Sequence, residues 1–451
     1  MSFFKKLFGG SSAAEVTGST INQKVNITQL PISFGRFSES SRSKEQLKYW
    51  TSSVAKYNTK NYYESYKDLL AYLKDEASDS IKVESNNGEL NFELIQGSKK
   101  INGTAGPNGF TGEVKMVRMN EPNIAVMSKL MSINYALFYS KFAVDEDNIV
   151  VMKCSSKAID GTPNKFYYAF QELAKKADLY DDLLLDEFSS LEAIDIDHQI
   201  PISRELQDKK YSFLINWINA EKEKIKALDF EKDAGKISFQ LLYLAYKIDY
   251  LLTPHGTTTN KLERLQQLYF AKNNDSTQAR NKGVIALFEE ILKTSTERIK
   301  AGFYDVHATF SLNNIVDYKV VRDMIHNERK KIHGYLDKQH TTGIEEMYGY
   351  IFAYTLFNYR MIKPLEETFN LAMMVLNHDY YIAMGSEVAL IDESGKLKAQ
   401  TIINIINAIE MEARITHPKF SIHPASLKFT NKIQFLDSLA AALEIVDLNV
   451  K

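Results

Sequence analysis

Residues 81–94 read IKVESNNGELNFEL, and this stretch decides the fold class of the N-terminal half. Ile81 and Val83 alternate with polar side chains, and Leu90, Phe92 and Leu94 alternate back. Between them stands Asn87-Gly88, the residue pair that tolerates the two positive φ angles of a two-residue hairpin turn. A period of two on both sides of such a turn predicts two antiparallel strands with one face against a core.

Outward from the hairpin, the period changes. On its N-terminal side Tyr62, Tyr66, Leu69, Leu70 and Leu73 recur at helical spacing and predict an amphipathic helix ending near Glu76. On its C-terminal side Gly97 to Gly112 reads as a glycine-rich loop, followed by a third strand over Glu113 to Met119. Pro122 opens a helix carrying Ile124, Met127, Leu130, Met131 and Leu137. Strands at Lys141 to Val144 and Asn148 to Cys154 flank the acidic turn Asp145-Glu146-Asp147, and Pro163 opens a last helix with Phe166, Phe170, Leu173, Ala177 and Tyr180. The expectation is an α+β module over 60–184, a five-stranded antiparallel sheet packed with helices in the order α-β-β-β-α-β-β-α.

That order, with FAVDEDNIVVMKCSS at 142–156, NIAVMSKLMSINYALFYSKFAVDEDNIVVM at 123–152 and PNKFYYAFQELAKKADLYDDLL at 163–184, resembles the type III secretion chaperone-like fold, especially its YbjN-like branch. The resemblance covers about a quarter of the chain. It implies a non-enzymatic protein-binding module, often a homodimer, that holds a client on its sheet or helix surfaces. The chain departs from the small secretion chaperones in its length and in lacking their strong acidity, which favours a larger adaptor over a free-standing chaperone.

Around this module, 1–59 reads as a tether rich in Ser, Thr, Gly and Asn with a short amphipathic start, and 185–203 as an acidic linker. Residues 204–451 predict an all-α domain, as one unit or two subdomains, with helices near 204–228, 231–252, 258–272, 276–301, 314–336, 343–377, 396–415 and 431–446. This half resembles no family.

Composition excludes several classes of function. With 55 basic and 57 acidic side chains the net charge is −2, so there is no global field to hold a nucleic acid. The single cysteine, Cys154, cannot form an internal disulfide and fits a reducing, cytoplasmic setting. No stretch approaches the ~20 apolar residues of a membrane span.

Candidate chemical groups each have a plain structural reading. Gly103, Gly106 and Gly109 lack the lysine and following helix of a phosphate loop and read as a strand connection, with Lys99 and Lys100 a weak case for anion contact. Asp195, Asp197 and His198 read as a solvated joint rather than a metal cage. His326, His333 and His340 recur every seven residues, about 10.5 Å apart on a helix and too far to share one ion. His378-Asp379 has no nucleophile motif beside it.

No catalytic, cofactor-binding or metal residue is therefore expected. The candidates for partner contact are Phe3, Phe4, Leu7 and Phe8 at the N-terminus, suited to weak peripheral contact with a membrane surface or a partner groove, and Ile124, Met127 and Met131 on the helix after the third strand. The functional expectation is a protein-binding adaptor or chaperone-like protein. The alternatives are a structural component of a large bacterial assembly and an enzyme with its site in the helical half.

Overall fold

The structure, a computed structural model, describes residues 34–35, 44–74, 80–338 and 341–449. Its N-terminal half runs through α1 (Lys44–Asn58), α2 (Tyr62–Leu73), β1 (Ile81–Asn86), β2 (Glu89–Gly97), β3 (Lys99–Gly106) and β4 (Gly109–Met119). It continues with α3 (Ile124–Asn134), β5 (Ser140–Val144), β6 (Ile149–Lys157), α4 (Pro163–Glu187) and β7 (Leu191–Ala193). The hairpin is as expected: β1 and β2 pair antiparallel from Ile81↔Leu94 to Asn86↔Glu89, and Asn87 and Gly88 take φ of 49° and 80°.

The glycine-rich stretch is where expectation and structure part. It is not a loop but β3 and the first half of β4, and the glycines serve the core. Phe92 stands opposite Gly103, which stands opposite Gly112. A Cβ on Gly103 would overlap the Phe92 ring, and one on Gly112 would sit 2.6 Å from Phe170 Cε1. Without side chains there, aromatic rings lie directly on the sheet backbone. Phe166 and Phe170 of α4 stack over it with centroids 4.4 Å apart, and Phe92 lies 5.1 Å from Phe170. The opposite sheet face is polar and open to solvent, with Thr104 bonded to Thr111 and Lys153 paired with Glu113.

The sheet has eight strands rather than five, in the order β1-β2-β3-β4-β6-β5 with two additions. One is β7, from the expected linker, which pairs with β4. The other comes from the helical half. The expected tether also holds structure: α1 packs on α2, where the hydroxyls of Ser53 and Ser65 each donate to the other's backbone carbonyl at 2.8 Å.

The helical half follows β8 (Ile200–Pro201). It comprises α5 (Arg204–Lys226), α6 (Ala234–Leu252), α7 (Thr257–Tyr269), α8 (Thr277–Lys293) and α9 (Thr296–Ala301). Short strands β9 (Tyr304–Asp305), β10 (His307–Ala308) and β11 (Asn314–Ile315) lead to α10 (Tyr318–Leu336) and α11 (Ile344–Asn358). Then come β12 (Tyr359–Arg360), α12 (Lys363–Leu376), α13 (His378–Ala383), α14 (Ala399–Ala413) and α15 (Lys432–Glu444). Two expected long helices are each divided. Ser295 caps a new start at α9, and β12 pairs with β11 before Pro364 enters the first turn of α12. Nearly every side of α6 is buried, so it forms the centre of this half.

The two halves share one seam. β10 pairs with β2 through His307↔Gly97 and Ala308↔Gln96. The buried Gln96 amide donates to the Phe310 carbonyl at 3.1 Å and accepts from the Phe310 N–H at 2.9 Å. Phe310 itself is buried in the core of the module, 5.5 Å from the Tyr167 ring. Lys99 crosses the same region: its ammonium meets Asp181 of α4 at 2.9 Å and donates to the carbonyls of Met116 and Ile194 at 2.9 and 3.0 Å.

Candidate functional site

Among the described residues the most exposed apolar surface is α3 and the turn after it. Pro122 and Asn123 start the helix, and the Asn123 carboxamide oxygen accepts from the Ala125 and Val126 amides at 2.9 and 3.2 Å. Val126, Leu130 and Ile133 form the buried stripe. The structure places Ile124, Met127 and Met131 on the outer side, where Ile124 is 88% and Met131 72% exposed. Beyond the helix Tyr135 is 96% and Phe138 90% exposed, with Tyr139 beside them. These aromatic residues were missed in the sequence because LFY after the helix reads as its continuation, with Leu137 in the core.

The patch is held firmly from below. Glu172 of α4 accepts from the Phe138, Tyr139 and Ser140 amides at 2.9, 2.8 and 2.8 Å and from the Ser140 hydroxyl at 2.6 Å. Burial would raise the Glu172 carboxyl, but these hydrogen bonds outweigh it and hold it below the usual range. Asn134 bonds both backbone groups of Phe142, accepting from its N–H at 2.6 Å and donating to its carbonyl at 3.1 Å. The one charge on α3, Lys129, is paired with Glu187 at 2.6 Å. The surface is thus apolar, uncharged in effect, and fixed in shape.

A second feature lies on the seam. A cavity of 250 Å³ opens between α4 and the segment entering α7, lined by residues that include Lys175, Lys176, Asp182, His255, Asn260 and Glu263. The Asp182 carboxylate accepts from the Gly256 amide at 2.8 Å. Burial, reinforced by Asp181 beside it, pushes Asp182 up to about 7. The His255 ring stacks on Tyr304 at 4.2 Å. Asn260 is buried, and its side-chain nitrogen has no hydrogen-bond partner among the described residues.

The remaining sequence candidates fall elsewhere. Phe3, Phe4, Leu7, Phe8 and His340 lie outside the described residues. His326 and His333 face α15: His326 meets Glu444 at 3.3 Å and His333 meets Asp437 at 2.8 Å, with Arg329 between them bonded to both acids. His378 begins α13, next to Asp379. His198 stands 3.5 Å from Asp195, and no group of three or more metal-ligating side chains comes together among the described residues. Cys154 is buried in β6, where desolvation pushes its thiol up to about 12. No described helix is long and apolar enough to cross a membrane.

Comparison of the chain with protein-family models and with curated proteins finds no match.

Proposed function

We propose that the protein is a non-enzymatic protein-binding adaptor that docks a partner on the outer face of α3 and the turn that follows. The observation that carries this reading is the contiguous exposure of Ile124, Met131, Tyr135 and Phe138 on a surface anchored by Glu172. Large apolar side chains left to water in one place mark an interaction site more often than scattered ones do. The resemblance of 60–184 to chaperone-like binding modules supports the same reading.

The occupant that fits the face is a second copy of this chain. Side chains of this size carry roughly 200 Å² each, so the exposed parts of the four amount to about 700 Å², close to what one partner contributes to a standard interface. Lys129 is neutralised by Glu187, so two copies meet without repulsion between like charges. The test is sedimentation velocity on the full chain over a micromolar concentration series, with the double variant Tyr135→Asp/Phe138→Asp beside it. A dimer that the variant converts to a monomer of unchanged circular dichroism supports the proposal. A wild-type monomer, or a dimer untouched by the variant, overturns it.

A further inference from the structure

We infer that the seam cavity binds a small aliphatic zwitterion, with the ligand's carboxylate toward Lys175 and Lys176 and its ammonium toward Asp182 and Glu263. The argument starts from α4. Lys175 and Asp182 are seven residues apart, so they share a helix face with about 10.5 Å of rise between them. The same cavity wall therefore carries Lys175 and Lys176 at one end and Asp182 at the other, with Asp178 between them accepting from the Ser98 amide at 3.1 Å. Glu263 on α7 adds to the acidic side. A ligand with one charge satisfies one end, whereas a zwitterion with its charges several bonds apart satisfies both.

Three further observations point to an occupant. The volume of 250 Å³ equals roughly eight waters of bulk liquid, room for an amino-acid-sized molecule. Asn260 lines it while buried, with its amide nitrogen lacking a partner among the described residues, and a ligand oxygen would supply the acceptor that a buried donor needs. Among the described residues Asp182 has only the Gly256 amide as a bonded partner across the seam, and an ammonium would supply the counter-charge that burial makes it need. The ligand would touch α4 on one side and the Pro254 to Glu263 segment on the other, so binding would also tighten the seam.

The experiment is calorimetric titration of the full chain with a matched set: 5-aminopentanoate, pentylamine and pentanoate. The expected result is that 5-aminopentanoate binds and that either single-charge analogue binds at least about tenfold more weakly. Lys176→Met and Asn260→Ala should each weaken 5-aminopentanoate binding by about tenfold, while circular dichroism confirms the fold of both. No heat with any of the three, equal binding of a single-charge analogue, or affinity unchanged in both variants overturns the inference.

Discussion

Removing Lys99 tests most sharply the buried ion pair that ties β3 to α4. Its ammonium is fully buried, 2.9 Å from the Asp181 carboxylate, and the Ser98 hydroxyl donates to the other Asp181 oxygen at 3.1 Å. At an effective dielectric of about 20 the attraction across that distance is roughly 6 kcal/mol, most of it offset by the desolvation of both groups. Burial pushes the Asp181 carboxyl up even so, with Lys99 and Ser98 pulling the other way. Lys99→Met takes away the counter-charge and leaves a buried carboxylate, together with the carbonyls of Met116 and Ile194 unbonded. The expected loss is about 3–5 kcal/mol. Adding Asp181→Leu removes the stranded charge, so the double variant should regain about half of that loss and remain short of wild type by the two unpaired carbonyls, at about 1 kcal/mol each. Urea unfolding followed by circular dichroism measures all four corners of the cycle. A loss under about 1 kcal/mol for Lys99→Met, or a double variant as unstable as the sum of the single ones, would refute the reasoning.

Two other predictions concern residues outside that pair. Asp182 titrates near about 3.9 when unfolded and at about 7 when folded, so between these values the folded state holds a proton that the unfolded state lacks. Stability contributed by this group falls as pH rises from about 4 to 7 and stays lost above that. Asp182→Asn should therefore raise the melting temperature at pH 8 by an amount corresponding to about 1–2 kcal/mol, discounted for cavity water, and leave it unchanged at pH 4. A shift of equal size at both pH values would contradict this. Gly103→Val forces a branched side chain against the Phe92 ring and should lose about 1–3 kcal/mol by overpacking, whereas Thr104→Val on the solvent face should be near neutral in thermal melts.

Local signals in the sequence carried the parts of this fold that local physics determines. Asn87-Gly88 marked its turn because positive φ is a property of two residues, and the stripe from Tyr66 to Leu73 marked α2 because periodicity survives without tertiary context. Gly103 and Gly112 misled for the opposite reason. Their absence of side chains has meaning only against Phe92 and Phe170, one of which lies 58 residues beyond Gly112. Two-residue strands such as β8 and β10 have no period to detect. At the α3 face, Ile124, Met127 and Met131 stood out by their spacing, yet Tyr135 and Phe138 did not, because Tyr135 stands at the end of α3 and Phe138 is placed by the bond of its amide to Glu172 of a later helix. The cavity joins α4 to residues about 75 positions later and was invisible until the halves were brought together.

Phe310 in the core of the module has a consequence for the chain during its synthesis. The strands and helices up to Glu187 leave the ribosome well before this ring exists, and at ~5–20 residues per second the wait is roughly 6 to 25 s. Throughout that interval Gln96 lacks the backbone it bonds and the nascent module lacks part of its filling. A chain released before Phe310 would carry an unsealed, sticky fragment, so ribosome stalling between these points is the moment at which this protein most needs protection from its neighbours.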